Sequence, residues 1–280
     1  MKIGINLLLW TDHPQPSKHE GLFAKIKHWG FDGVEIPIDP IEYQNSEKIA
    51  KLLDELHLER TTITALDGTL ADPSSREPKL RQAAIDVLKR NIEKTKAVGA
   101  DLMVGPIFQG LGKFTGHSPQ PDEWKYAVET IRTVAEFAHT LDVKLALEPL
   151  NRFEMYVVNT VADGVRFIKE VDMENVGLLV DTHHGNIEEN NTAKAWESVA
   201  EYIFHVHISE NHRGVPGSGQ AIPKEIFETL KKSSYDNWLT IEAFGQNVPG
   251  LISRLHLWRS FSNDNDDSAR LGIEFIRQNL

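Results

Sequence analysis

The chain has 280 residues, of which 40% are hydrophobic and 25% charged. That is ordinary soluble-globular composition, long for an average domain but normal for one α/β barrel. It has no cysteine, which excludes disulfides, thiol nucleophiles and Cys-ligated zinc. A net charge of −11, from 41 acidic against 30 basic residues, speaks against a polyanionic partner, and no basic run reverses it locally. The opening MKIGINLLLW lacks the long apolar core and cleavage site of a signal peptide. No apolar stretch reaches the roughly 18 residues of a membrane span. The expectation is a cytoplasmic protein with neither a nucleic-acid nor a membrane partner.

Taken in order, short apolar runs predict strands at 4–9, 33–36, 61–65, 102–105, 144–148, 176–181, 203–209 and 238–242. Between them the spacing is helical. Leu80, Ala84, Val87, Ile92 and Thr95 fall on or near one face, as do Val128, Ile131, Val134, Phe137 and Leu141. Gly30 and Gly99 supply helix stops. Eight strands in 280 residues make about 35 residues per unit, the length of one βα unit. The alternation predicts a parallel sheet closed into a single (β/α)8 TIM barrel domain over 1–280, against the alternative of an open doubly wound sheet. The stretch 107–123 after the fourth strand is the longest expected loop, of a length usual for lids and binding loops. A second irregular region follows the eighth strand.

Barrel active sites gather at the carboxyl ends of the strands. Strand five ends at Glu148, strand six at Asp181 and strand eight at Glu242, while strand seven passes through His207. Four successive strands thus deliver one metal-competent side chain each to one rim. Inward carboxylates are costly without a cation. Three carboxylates and an imidazole suit Mn2+, with Co2+ or Mg2+ as alternatives. The bland reading is that each strand-end acid caps the helix that follows it.

In HVHISENHRG (205–214), His205 and His207 share one side of strand seven. His207, nearer the carboxyl end, is the better ligand, and His205 lies one layer deeper as a hydrogen-bonded core residue. His212 falls in the next loop, with solvent as its default surroundings. One of His183 and His184 faces the pocket, and parity does not say which. GLGKFTG (110–116) has the wrong spacing for a phosphate loop, and Phe114 stands where Ser or Thr is needed. VPGSGQ (215–220) is a turn-rich loop without the dinucleotide pattern. The aromatic residues belong to the core, except Trp10, which follows strand one at the rim.

ALEPLNRFE (146–154), LVDTHHGNIEE (179–189), HVHISENHRGVPGSG (205–219) and TIEAFG (240–245) together resemble the ketose 3-epimerases, the D-tagatose and D-psicose 3-epimerase relatives within the xylose isomerase-like barrels. The specific motifs cover the carboxyl-terminal half, and the first half agrees more loosely, including GFDGVEIP (30–37). The resemblance implies an isomerase with Glu148, Asp181, His207 and Glu242 on a divalent metal. It implies that Glu154, His184 and Arg213 bind the substrate oxygens at carbons 1 to 3. It also implies a homodimer or homotetramer acting on a small-molecule ketose. His183 stands where the family has Phe, and the segment after strand four does not match the best-known epimerases.

The expected chemistry is epimerisation at carbon 3. One of Glu148 and Glu242 removes the C3 proton, a cis-enediolate forms, and the other returns a proton to the opposite face. The nearest rival is an aldose–ketose isomerase on the same barrel, followed by action on a keto-sugar acid or inosose. An endonuclease IV-like repair enzyme needs a richer ligand cluster and a basic face. A sugar-binding barrel without catalysis needs no opposed glutamates.

Overall fold

The computed structural model describes residues 1–39, 41–262 and 264–280. Eight parallel strands close in chain order, β1 (Lys2–Asn6), β2 (Gly33–Pro37), β3 (Glu59–Ile63), β4 (Leu102–Gly105), β5 (Lys144–Leu147), β6 (Val176–Asp181), β7 (Ile203–Ile208) and β8 (Trp238–Ile241), with β8 pairing back onto β1. The barrel is as expected. Helices α1 (Pro16–His28), α2 (Tyr43–Glu55), α3 (Pro78–Ala97), α4 (Pro121–Thr140) and α5 (Val161–Val171) cover its first strands. Two short helices, α6 (Thr182–Glu188) and α7 (Thr192–Ser198), follow β6, and α8 (Glu225–Lys232) follows β7. The chain ends through α9 (Pro249–Arg254) and α10 (Asn265–Asn279). Among the described residues no helix is long and apolar enough to cross a membrane.

Most apolar burial lies between strands and helices, where α3 buries Ala84, Leu88, Ile92 and Thr95 and α4 buries Val128, Ile131 and Val134. Of the faces expected, Leu80, Val87, Phe137 and Leu141 are only half-buried, and Leu88 takes the central place assigned to Val87. Inside the barrel, a smaller apolar group of Ile63, Leu102, Val104, Ala146, Leu179 and Trp238 runs from Trp238, where β8 begins, to Ile63, where β3 ends. Gly4 and Gly33 make room for it. A Cβ on Gly33 would lie 2.6 Å from the Trp238 ring, and one on Gly4 would lie 3.2 Å from it. Glu35, Thr61, His205 and His207 supply buried polar side chains of the barrel interior beside this group.

Two strands are displaced from expectation. The first runs Lys2–Asn6, because the Asn6 side chain accepts the Leu8 N–H at 2.9 Å and turns Leu7–Leu9 into a 3₁₀ turn. The third runs Glu59–Ile63, two residues early. Glu148 and Glu242 lie one residue beyond β5 and β8, still tied to the neighbouring strands by Glu148 N–H to Gly105 O at 3.1 Å and Glu242 N–H to Ile208 O at 3.2 Å. The expected loop 107–123 ends sooner, since 121–123 open α4, with Glu123 accepting the Gln120 N–H at 2.8 Å.

Candidate active site

Residues two apart on a strand face the same side, so Trp238, Thr240 and Glu242 form an inward column, as do His205 and His207. At the top of these columns Glu148, Asp181, His207 and Glu242 are buried and bring one ligand atom each to within 4.8 Å of the others. His207 Nδ1 lies 3.7 Å from Glu148 Oε1, 3.7 Å from Asp181 Oδ2 and 3.5 Å from Glu242 Oε1. Asp181 does two jobs. Its Oδ1 accepts the backbone N–H groups of His183 and His184 at the start of α6, so the capping alternative is realised by one oxygen, while Oδ2 remains free.

Glu148 Oε1, Asp181 Oδ2 and His207 Nδ1 are buried with no hydrogen-bond partner among the described residues. Buried polar atoms are rarely left so, and here three of them converge on one point. A divalent cation with oxygen and imidazole ligands fits this donor set. The electrostatics agree. Burial, then the charge of Glu242, pushes the Glu148 carboxyl well above the usual range. Burial also raises Glu242, to about 7, against the pull of Arg213 and His207. Burial disfavours charge on His207, but Glu35 and Glu242 outweigh it and hold its pKa well above the ordinary value. Without a cation, the imidazolium and retained carboxyl protons supply the missing positive charge.

Among the described residues there are two further acid–histidine groups, Glu35–His205–His207 and Glu154–His183–His184. Neither suits a metal. Both Glu35 oxygens already receive donors, and the Arg213 guanidinium lies 3.9 Å from Glu154.

A cavity of about 360 Å³ opens above the quartet, with Glu148, Glu242, Glu154, His184 and Arg213 on its floor and apolar walls that include Leu111 and Leu251. His184, not His183, is the histidine that lines it. Asn151 donates to His184 Nδ1 from its backbone at 3.1 Å and from its side chain at 2.9 Å, so that nitrogen carries no proton and Nε2–H points into the cavity. Burial holds the ring neutral, its pKa well below the ordinary value. Arg213 Nη1 is 3.4 Å from His184 Nε2. Two donors facing each other leave a place for a shared acceptor oxygen. Arg213 adopts a φ of 61°, donates to Glu242 Oε2 and packs over Phe244 at 4.6 Å.

A family model for xylose isomerase-like TIM barrels matches residues 23–279. The chain belongs to this family. It is 32% identical to a probable ketose 3-epimerase of Synechocystis over 99% of this chain and 96% of the relative. It is also 32% identical to D-psicose 3-epimerase of Ruminiclostridium cellulolyticum, over 99% and 97%. The crystal structure of a D-allulose 3-epimerase from Methylomonas sp. in complex with D-allulose superposes with a TM-score of 0.93 at 28% identity, covering 100% of this chain and 97% of that one. The expected resemblance and the isomerase class, of epimerase type, are borne out.

Within this xylose isomerase-like frame, sequence reasoning missed the layer beneath the quartet. Glu35 is fully buried inside the barrel and holds His207 and Thr61, and its signal was an acid between Val34 and Ile36 in a strand buried on both faces. Asn151, which orients His184 and donates to Glu154 Oε1 at 2.8 Å, was missed as well. His205 lies one layer down, 2.9 Å from Glu35 Oε2, as expected. His212 is half-buried rather than solvated, stacked on Phe261 at 4.6 Å. His183 packs edge-on against His184, its ring bonds the Glu210 carbonyl oxygen at 3.0 Å, and its pKa is lowered to about 4 by burial and Arg213. Trp10 is corrected too. It stacks on Trp29 and bonds Asp266 at 2.9 Å, away from the cavity, because the chain leaves β1 early. Of the 107–123 segment, Leu111 lines the cavity while Phe114 is exposed.

Proposed function

We propose that the chain is a divalent-metal-dependent ketose 3-epimerase acting on a small free ketose, with Glu148, Asp181, His207 and Glu242 as the metal ligands. Mn2+ is the expected ion, with Co2+ or Mg2+ as alternatives. A bound cation supplies Lewis-acid polarisation of the carbon-2 carbonyl and so acidifies the carbon-3 proton.

The chain's own groups do the rest. Glu148 and Glu242 arise from β5 and β8 and reach the cavity floor from separate strands. One takes the C3 proton, leaving a cis-enediolate. The other donates a proton to the opposite face, and C3 is inverted with no net change in protons. The reverse reaction exchanges the two roles. Burial raises both carboxyls, Glu242 to about 7 and Glu148 well above its ordinary value, which favours proton transfer by both. Arg213, His184 Nε2–H and Glu154 hold the oxygens of carbons 1 to 3, and the apolar walls keep water from the intermediate. The single observation that carries this reading is the pair of buried glutamates, both in the quartet and both open to the cavity.

The test is NMR in deuterated water on metal-loaded protein with D-tagatose, D-fructose and L-ribulose. Deuterium at carbon 3 with a new epimer supports the proposal. Deuterium at carbon 1 or 2 with an aldose product makes the enzyme an aldose–ketose isomerase. Absence of exchange in all three would point to a modified substrate or to a binding barrel.

A further inference from the structure

The quartet comes from β5 to β8, yet its only imidazole is held from the opposite side of the barrel. Asn6, Glu35 and Thr61 are aligned across β1, β2 and β3, Asn6 beside Glu35 and Glu35 beside Thr61. All three are buried and all project inward. Glu35 Oε1 accepts from Asn6 Nδ2 at 3.1 Å and from His207 Nε2 at 2.8 Å, and Oε2 accepts from Thr61 at 3.0 Å. The Asn6 amide cannot be reversed, because its Oδ1 already accepts the Leu8 N–H at 2.9 Å. Glu35 therefore sees donors at both oxygens, and the proton between it and His207 belongs on Nε2. Once the ring is neutral, as a metal ligand must be, that leaves Nδ1, the atom facing Glu148, Asp181 and Glu242, with its lone pair available.

We infer that Glu35 is a positioning residue for the metal centre. It fixes the tautomer and ring plane of His207 so that Nδ1 is presented as a ligand, while Asn6 and Thr61 hold Glu35 in turn. The inference rests on the proposed metal role of the quartet. A carboxylate behind a ligating histidine orients the ring and raises its basicity, and loss of such a partner typically weakens metal binding 10- to 100-fold. Asn6 Nδ2 also reaches Glu242 Oε1 at 3.4 Å, so the same layer touches a second ligand.

Glu35→Leu keeps much of the volume and removes both acceptors. Glu35→Gln keeps one carbonyl that can still receive the His207 N–H. Isothermal titration with Mn2+ should show a dissociation constant weakened roughly 10- to 100-fold in Glu35→Leu and less in Glu35→Gln. As a control, Thr62→Val breaks a buried bond to Thr95 (2.7 Å) outside the site and should lower Tm without changing Mn2+ affinity. Should Glu35→Leu fail to fold, the Gln variant and the native protein still decide. In native protein labelled with 15N-histidine and loaded with Mg2+, Nε2 of His207 should carry the ring proton. Mn2+ affinity within twofold of native in the folded Glu35 variants, or a proton found on Nδ1, would overturn the inference. If the native protein itself binds no Mn2+, the metal reading falls with it, whereas native binding with indifferent variants removes only the role of Glu35.

Discussion

Glu148→Gln should make the metal-free protein more stable and the enzyme nearly inactive. Glu148 and Glu242 bring oxygens within 4.8 Å of each other in a buried site that also holds Asp181. Two full charges at that distance repel by about 3.5 kcal/mol at an effective dielectric constant of 20. The protein avoids most of this cost by keeping protons on the raised carboxyls. Glutamine has the shape of the protonated acid and never charges, so only the unrelieved part of the repulsion is recovered, about 1 kcal/mol. For a chain of this size that is a rise of roughly 2–4 °C in Tm. With metal the order should invert. A native protein at 100 times its Kd gains about 2.7 kcal/mol from the ion, and the variant, lacking one ligand, gains much less. Turnover should fall about 10²- to 10⁴-fold, the contribution of one positioned acid–base group. Thermal melts in EDTA and in excess Mn2+, beside an epimerisation assay, read all three effects. A variant less stable than native in EDTA would refute the electrostatic argument, and native-like turnover would refute the assignment of Glu148.

Dialysis against EDTA should abolish activity and added Mn2+ restore it; full turnover in protein that elemental analysis shows to be free of metal would rule out the cation's role. Metal binding should release protons, because the Glu242 carboxyl lies near 7 and that of Glu148 above its usual range, so affinity weakens as pH falls below 7. Titration in two buffers of different ionisation enthalpy counts those protons, and a count of zero at pH 6 contradicts the raised values. The same shifts act on stability with the opposite sense. Carboxyls raised in the fold bind more protons than the unfolded chain, so the metal-free protein should lose stability as pH rises from about 4.5 to above 7. Melts in EDTA across that range check this, and a Tm that climbs instead would sink it. Arg213→Ala and Arg213→Gly should both lose about 10- to 100-fold in kcat/KM, from charged hydrogen bonds of about 1.5–3 kcal/mol. The Gly variant should melt higher by about 1 kcal/mol, since only glycine takes a φ of 61° without penalty, and equal melting points would show that the backbone there is unstrained.

The rim could be read from the chain because its acids follow apolar runs. Leu145-Ala146-Leu147 is succeeded by Glu148, and Val176–Val180 by Asp181, so a single charged residue marks where each strand reaches the carboxyl face. Trp10 misled for a related reason. The apolar residues Leu7–Leu9 continue past the true strand end, and the local Asn6 side-chain bond to Leu8, written in one polar residue, turns the chain there. Glu35 carries the same kind of signal as Glu148, an acid among apolar neighbours, but it sits mid-strand. What it faces depends on register across three strands and on the far wall of the barrel, which periodicity along one segment does not contain.

The barrel's two halves therefore differ in how visible their roles are. β5 to β8 present charge at strand ends, where each residue can be recognised alone. β1 to β3 contribute Asn6, Glu35 and Thr61, each ordinary by itself and meaningful only as a row that faces His207. Closure makes the row possible, since a parallel sheet left open would put β2 and β7 at separate places along its width rather than across a shared interior. The hydrogen-bonded layer around the Glu35 carboxylate, beneath the rim, also explains why the quartet can be buried at all. The Glu35 layer satisfies the rear of His207, so within the quartet the buried atoms without a partner, Glu148 Oε1, Asp181 Oδ2 and His207 Nδ1, face one another.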